Sequence, residues 1–314
     1  MLGITIAVFR ESSDFQDALR ASGCTDLLVV AGGEFRARLT RVALQYVMLA
    51  HAEENVDRLA SITVPPGLVR VLLPPHRGRL VCSGMLVDAG CLVTQAPGES
   101  RLERLVSPCH WRDIILPVRQ LVRYGRAVIG RPIAIPADVG LWHPPVVALR
   151  ELIRLHAAVM RVAETHPGKT MGRETARGLE QELIAGLIEC LSDEAVAADT
   201  AVRHADIMTR FEKAIAASPE RIPSMADVCA ALNVPERTLR QCCHEQLGMS
   251  PRRYQWFRHM QEARAALRSA EPGAATVAGL ARQHGFTEAG RFAASYKTLF
   301  GELPSATLRR SLDA

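Results

Sequence analysis

GLARQHGFTEAGRFAASYKTLFGELP, residues 279–304, sets a glycine-led turn between two stretches of helical spacing. A looser copy of the same design, DVCAALNVPERTLRQCCHEQLGMSP, occupies residues 227–251. Ser224, Val228 and Pro235 return as Thr276, Leu280 and Thr287, each 52 residues on. Past the turn the offset is 53, so that Leu239, Cys243, Gly248 and Pro251 are answered by Phe292, Tyr296, Gly301 and Pro304. One residue has been inserted in the second turn, and the rest repeats. Self-similarity of this kind marks one structural unit used twice.

Each copy contains the parts of a helix-turn-helix. Ser224, with Asp227 three residues on, offers a capping-box-like start, and Thr276 can cap the second copy. Asn233 and Gly285 fall where a chain leaving a helix needs a left-handed residue. Pro235 and Thr287 then suit the start of another helix. In that helix Leu239, Cys242 and Cys243 face inward and Arg237, Arg240, Gln241 and His244 face outward. In the second copy Phe292 and Tyr296 face inward, with Glu288, Arg291, Ser295 and Lys297 outside. Arg and Gln on a helix face are ordinarily just solvated, but they are also the types that bond base edges bidentately. Matched turns and matched G-x-x-P ends in two copies favour the second reading. Between the copies, SPRRYQWFRHMQEARAALRSA puts Tyr254, Phe257, Met260, Ala263, Ala266 and Leu267 on one stripe. The resulting helix, about 25 Å long at 1.5 Å per residue, is a strut able to hold two reading helices near the ~34 Å repeat of adjacent major grooves.

Residues 206–314 resemble the DNA-binding domain of the AraC/XylS family of bacterial transcription regulators, on ADVCAALNVPERTLRQCCHEQLGMSPRRY and VAGLARQHGFTEAGRFAASYKTLFGELPS. The first copy departs from the pattern: Gln241 and Cys243 stand where the family commonly has an Arg and an aromatic in L-x-R-x-F, and in the second copy Ala294 stands where a basic residue is frequent. The resemblance implies double-stranded DNA as partner, RNA polymerase as a further contact, activation as the usual outcome, and a sensing or oligomerising domain, often a cupin-like barrel, ahead of the reader. On this reading Arg237, Arg240 and Gln241 of the first unit and Glu288 and Arg291 of the second contact base edges. Thr238, Arg252, Lys297 and the N–H groups near Thr287 contact phosphate, and His244 and Ser295 share the same outer surface.

The chain of 314 residues exceeds the usual size of one core, and 48% hydrophobic content argues against disorder. The fold class expected is α+β multidomain. Residues 1–142 read as an antiparallel β-domain, cupin-like by the resemblance, punctuated by VPPGLVRVLLPPHRG, DAGCLVTQAPGE and SPCHWRDIILP into strands of five to eight residues, with the opening MLGITIAVF as an edge strand. VDAGCLVTQAPGE looks like a hairpin of such a barrel. Residues 143–205 read as a helical pair: Val147, Leu149, Leu152, Ile153, Leu155, His156 and Val159 form one apolar face, and Leu179, Leu183, Ile184, Leu187, Ile188 and Leu191 another. THPGKTMG separates them, and LSDEAVAADTAVRHAD is the expected linker to residues 206–314, or else a frayed helix end. This middle region is the candidate homodimerisation element.

Charge and cysteine usage narrow the function. The net charge is +5, of which 15 Lys/Arg against 11 Asp/Glu lie from Asp206 onward, so the excess sits with the repeat and suits a polyanion. Eight cysteines without a C-x-x-C pair fit thiols in a reducing cytoplasm, and neither a secretion signal nor a membrane span is expected. No metal or cofactor is expected either: His51, His76, His110 and His143 are isolated in sequence, and neither GRPIAIPADVG nor AGGEF has phosphate-loop spacing. Cys109 and His110, adjacent on a strand, point to opposite faces and cannot pair as nucleophile and base. Trp111, Tyr46 and Met48 are either core or the lining of a small-molecule effector pocket. The function expected is therefore sequence-specific transcription regulation and not catalysis. Control by redox at Cys242 or Cys243 or by a protein partner, a cupin-type small-molecule enzyme, and a helical-repeat scaffold that ignores DNA are the alternatives.

Overall fold

The computed structural model describes residues 3–98, 100–136, 139–165, 172–192, 196–197, 199–217, 222–270 and 275–310. They divide into two compact units: Met1–Leu27, Phe35–Asn55 and Ala60–Val202 form the first, and Leu28–Glu34, Val56–Leu59 and Arg203–Ala314 the second.

The first unit is built on an antiparallel sheet. Its strands are β1 (Gly3–Phe9), β2 (Cys24–Val29), β3 (Ala37–Ala43), β4 (Met48–Glu54), β5 (Arg58–Ile62), β6 (Leu68–Cys82), β7 (Met85–Val87), β8 (Leu92–Gln95), β9 (Arg101–Pro117), β10 (Val139–Trp142) and β11 (Val196–Ala197). The order along the sheet is β1-β3-β4-β9-β6-β8-β10-β11, with β5 joining β2 to β9, so the opening residues do form an edge. Two strands are far longer than the five to eight residues expected, because the prolines of β6 do not end it. Pro74 and Pro75 fall where the pairing of β6 with β9 slips between Leu73 and Arg77, a bulge that needs no N–H from them. VDAGCLVTQAPGE is not a hairpin. β7 and β8 each pair with β6, at Leu80–Cys82 and at Arg70–Leu72, and run along the same edge of it. The tight turn lies one step earlier, where Ser83 and Gly84 both take positive φ (49° and 79°) between β6 and β7.

The two faces of the sheet are chemically different. Leu49, Val69, Val71, Leu73, Ile114 and Leu116 belong to an apolar core shared with the helices α3 and α4 described below. The opposite face buries a polar network, in which Arg70 donates from Nε to Asp113 (2.6 Å) and from Nη1 to Gln95 (3.1 Å) and to Glu103. Nearby, Trp111 Nε1 donates to Glu54 Oε1 and Trp142 Nε1 to Thr94 Oγ1. Trp111 is thus core, while Tyr46 and Met48 are half-buried.

The helices are α1 (Ser12–Leu19), α2 (Val118–Ile129), α3 (Val146–Thr165), α4 (Arg173–Cys190), α5 (Asp199–Ala216), α6 (Met225–Leu232), α7 (Glu236–Leu247), α8 (Pro251–Ser269), α9 (Val277–Gln283), α10 (Ala289–Phe300) and α11 (Pro304–Arg310). The first two lie where only strands and turns are expected. Pro117 sits at the N-cap of α2, where its missing N–H costs nothing, and Gly130 ends that helix at φ 73°. α3 and α4 carry the expected apolar faces, save that Val147 is exposed at the start of α3. THPGKTMG falls largely outside the described residues, as do 193–195 and 198 of the expected linker. From Asp199 the stretch is helical, the second of the two alternatives: it forms the start of α5, whose Met208, Phe211 and Ile215 are buried. Alanine-rich sequence continues a helix readily once an apolar face follows it. No helix among the described residues is long and apolar enough to cross a membrane.

Candidate nucleic-acid interface

Both repeats fold as the capping residues dictate. Ser224 Oγ accepts from the Asp227 N–H at 3.2 Å, and α6 ends on Asn233 in the left-handed conformation (φ 52°, ψ 45°). Pro235 is the N-cap of α7. In the second copy Thr276 Oγ1 accepts from the Gly279 N–H at 3.1 Å, Gly285 turns the chain at φ 82°, and Glu288 is the N-cap of α10, so that Thr287 stands one residue outside the helix. Gly248 and Gly301, both left-handed, end α7 and α10 in matching fashion. Between the pairs, Ser250 Oγ accepts from the Arg253 N–H with Pro251 at the first helical position, and starts α8. At 19 residues α8 spans about 28 Å.

The inner faces solve one packing problem in two ways. In the second copy a ladder of rings runs Phe286–Phe292–Tyr296–Phe300, with centroids 5.0, 5.5 and 4.6 Å apart. Tyr296 Oη meets Thr307 Oγ1 of α11 at 2.8 Å, and Arg264 of α8 lies over the Phe300 ring. In the first copy Leu239, Cys242 and Cys243 replace the rings, and the missing volume comes from α5. Cys243 Sγ lies 3.8 Å from Met208 Sδ, and Phe211 packs on Tyr254 at 5.8 Å. Tyr254 Oη donates to Glu212 Oε1 at 2.6 Å. Burial pushes the Cys242 thiol up to about 11 and the Cys243 thiol higher, which keeps both as unreactive thiols.

The outer faces hold the charged and polar groups. Arg237, Arg240, Gln241 and His244 are exposed on α7, with Thr238 half-buried in its first turn. Arg291 and Lys297 are exposed on α10 with Ser295 half-buried, Thr287 and Glu288 are exposed at its start, and Arg252 is exposed in the first turn of α8. Several of these side chains are tethered to acids of their own helix. Arg240 binds Glu236 at 2.7 and 2.9 Å, Gln241 donates to Glu245 at 3.0 Å, and Arg291 binds Glu288 at 3.2 Å. A cleft at the second turn is lined by Phe286, Thr287, Glu288, Arg291, Ser295 and Trp256. Trp256 of α8 escapes a sequence reading because the strut stripe assigns only its buried neighbours; an aromatic one residue off an apolar stripe is the available signal.

Two trihelical units, each ending in an exposed helix and sharing α8, form a double helix-turn-helix. Residues 228–310 match the helix-turn-helix domain model, and the chain carries an AraC-type DNA-binding domain at its C-terminal end. The chain is 37% identical over 86 residues to the "Probable thc operon regulatory protein" of Rhodococcus erythropolis, covering 27% of this chain and 26% of that one. It is 35% identical over 74 residues to the XylDLEGF operon transcriptional activator of Pseudomonas putida, covering 24% and 23%. The matches thus span about a quarter of the length of these curated relatives. Among solved structures, the AraC-like transcriptional activator CuxR aligns over 83% of this chain and 96% of that one, at 12% identity and a TM-score of 0.45.

Proposed function

We propose that the protein is a sequence-specific, DNA-binding transcription regulator that inserts α7 and α10 into successive major grooves of one duplex. The observation that carries this reading is the pair of capped helix-turn-helix units on a common 19-residue helix, with polar outer faces and closed apolar inner ones. Arg237, Arg240, Gln241, Glu288 and Arg291 read base edges. Thr238, Arg252, Lys297 and the N–H groups beside Thr287 hold phosphate, and His244 and Ser295 border the same surfaces. One relative matched over this domain is named an operon transcriptional activator and another an operon regulatory protein, which supports regulation, with activation through RNA polymerase as the proposed outcome. The β-domain is the proposed seat of a small-molecule effector and the α3–α4 pair that of a homodimer, in a cytoplasmic protein without catalytic function.

The test is fluorescence anisotropy of the full chain on duplexes tiled across the promoters next to its gene. One duplex is bound specifically, and log K falls linearly with log salt. Arg240→Ala costs about 1 to 3 kcal/mol on that duplex and relaxes the preference at one base position. Lys297→Ala weakens all duplexes alike and lowers the salt slope by about 1. Salt-independent association, or equal affinity for every duplex, rejects the reading.

A further inference from the structure

We propose that the sheet of the first unit carries a binding site for a first-row divalent transition metal, zinc in type, formed by His51, Glu53 and His110. The three are scattered over sixty residues, and pairing brings them together. His51 and Glu53 are i, i+2 on β4, so both point to one face, and His110 of β9 lies directly opposite Glu53 in the antiparallel register. One ligand atom from each lies within 4.8 Å of the other two. The two imidazole rings are 6.1 Å apart between centroids. Zinc held by nitrogen and oxygen at 2.0–2.2 Å sets tetrahedral donors about 3.4 Å apart. All three side chains are half-buried, so small side-chain rotations close the difference without moving the sheet.

The surroundings are those of a ligand set and not only of a polar patch. Glu164, in the last turn of α3, has Oε1 4.0 Å from His51 Nδ1 and accepts from Thr40 Oγ1 at 2.9 Å. A carboxylate on the second nitrogen of a ligating imidazole is the usual means of fixing its tautomer and direction. His76, exposed within the bulge of β6, has its ring 6.2 Å from that of His110. The Pro74 carbonyl beside it is gripped by Arg112, at 2.8 and 3.2 Å. Imidazole with carboxylate suits Zn²⁺, Ni²⁺ or Cu²⁺ over the hard cations Mg²⁺ and Ca²⁺. The site lies on the face that packs against α3, opposite the Arg70 network. Metal there ties the last turn of α3 to β4, and this assignment stands independently of what α7 and α10 contact.

Equilibrium dialysis of the full chain against Zn²⁺ at pH 7.5, with its cysteines kept reduced, tests it. One Zn²⁺ binds per chain, raising the unfolding temperature, as any ligand of the native state does. His51→Ala, Glu53→Gln and His110→Ala each weaken binding at least about a hundredfold, since even supporting residues are worth ten- to a hundredfold. His143→Ala leaves it unchanged. Co²⁺ in place of Zn²⁺ absorbs in the visible as a nitrogen- and oxygen-ligated ion, free of thiolate charge transfer. Absence of stoichiometric binding by the wild type, a thiolate band, or unchanged affinity in the three variants overturns the proposal. Unfolding of the metal-free variants, measured in chelator, separates loss of a ligand from loss of the fold.

Discussion

The sulfur of Cys243 lies 3.8 Å from that of Met208, and this contact replaces, in the first helix-turn-helix, the ring that Tyr296 supplies in the second. A thiol is much smaller than a phenol, so the first unit borrows volume from α5, a helix outside the repeat. Both sulfur side chains are fully buried.

Met208→Ala therefore leaves a cavity beside Cys243 that the second unit does not share. The expected loss is about 3 kcal/mol, within the range for buried Met or Leu truncations. Urea unfolding followed at Tyr254 and Trp256 checks it. A change below about 1 kcal/mol would mean that α5 is not part of this core.

Arg240, Gln241 and Arg291, proposed above to read base edges, are each tethered to a nearby acid, so on that proposal DNA competes with an intramolecular partner. Glu236→Gln frees Arg240, whose contacts to Glu236 are 2.7 and 2.9 Å, and removes an exposed negative charge from the start of α7. Affinity for the specific duplex rises several-fold at low salt and less at high salt, because exposed ion pairs are screened. Anisotropy across a salt series measures this. Equal or weaker binding by the variant would show that Glu236 positions Arg240 productively.

His156 on α3 is fully buried, with Nε2 3.1 Å from the Ala50 carbonyl oxygen, and burial lowers its pKa to about 3, with Arg112 and His51 acting in the same direction. The unfolded chain, where histidine titrates near 6.5, then binds more protons than the native one between these two values. The stability owed to this group is complete above about pH 6.5 and is lost as pH falls toward 3, at up to about 1.4 kcal/mol per pH unit. Unfolding free energy measured from pH 7.5 to 4.5 should fall along this course, and His156→Leu should flatten it. An unflattened curve in the variant assigns the acid sensitivity elsewhere.

Arg70 stands between two buried carboxylates, Glu103 and Asp113. Burial already pushes the Asp113 carboxyl upward, against the pull of Arg70. Arg70→Met strands both acids and should cost about 3 to 5 kcal/mol. Adding Glu103→Gln and Asp113→Asn should recover much of it. Calorimetry of the single and triple variants checks this, and a triple variant no more stable than the single one would show that packing, not charge, dominates.

The C-terminal units were legible because their instructions are local. A serine or threonine before an apolar run, a left-handed residue after it and a proline or glycine at each end act within one helical turn, and two copies corroborate one another. The same local logic placed the edge strand β1 and the apolar faces of α3 and α4. It failed where distant partners decide. β7 and β8 look like a hairpin in isolation, yet each finds β6, because a strand pairs with whichever edge buries its apolar side. Pro74 and Pro75 look like a stop, yet a bulge spares the N–H groups they lack.

The sequence alone determined that residues 206–314 hold two helix-turn-helix units and that an antiparallel β-domain precedes them, since capping, turn chemistry and apolar periodicity are properties of neighbouring residues. Only the tertiary structure decided that α5 completes the first unit through Met208 and Phe211, and that His51, Glu53 and His110 converge on one face. Those contacts depend on strand register and helix packing across long stretches of chain, and residue types at fixed spacing carry no record of which distant segment will lie alongside.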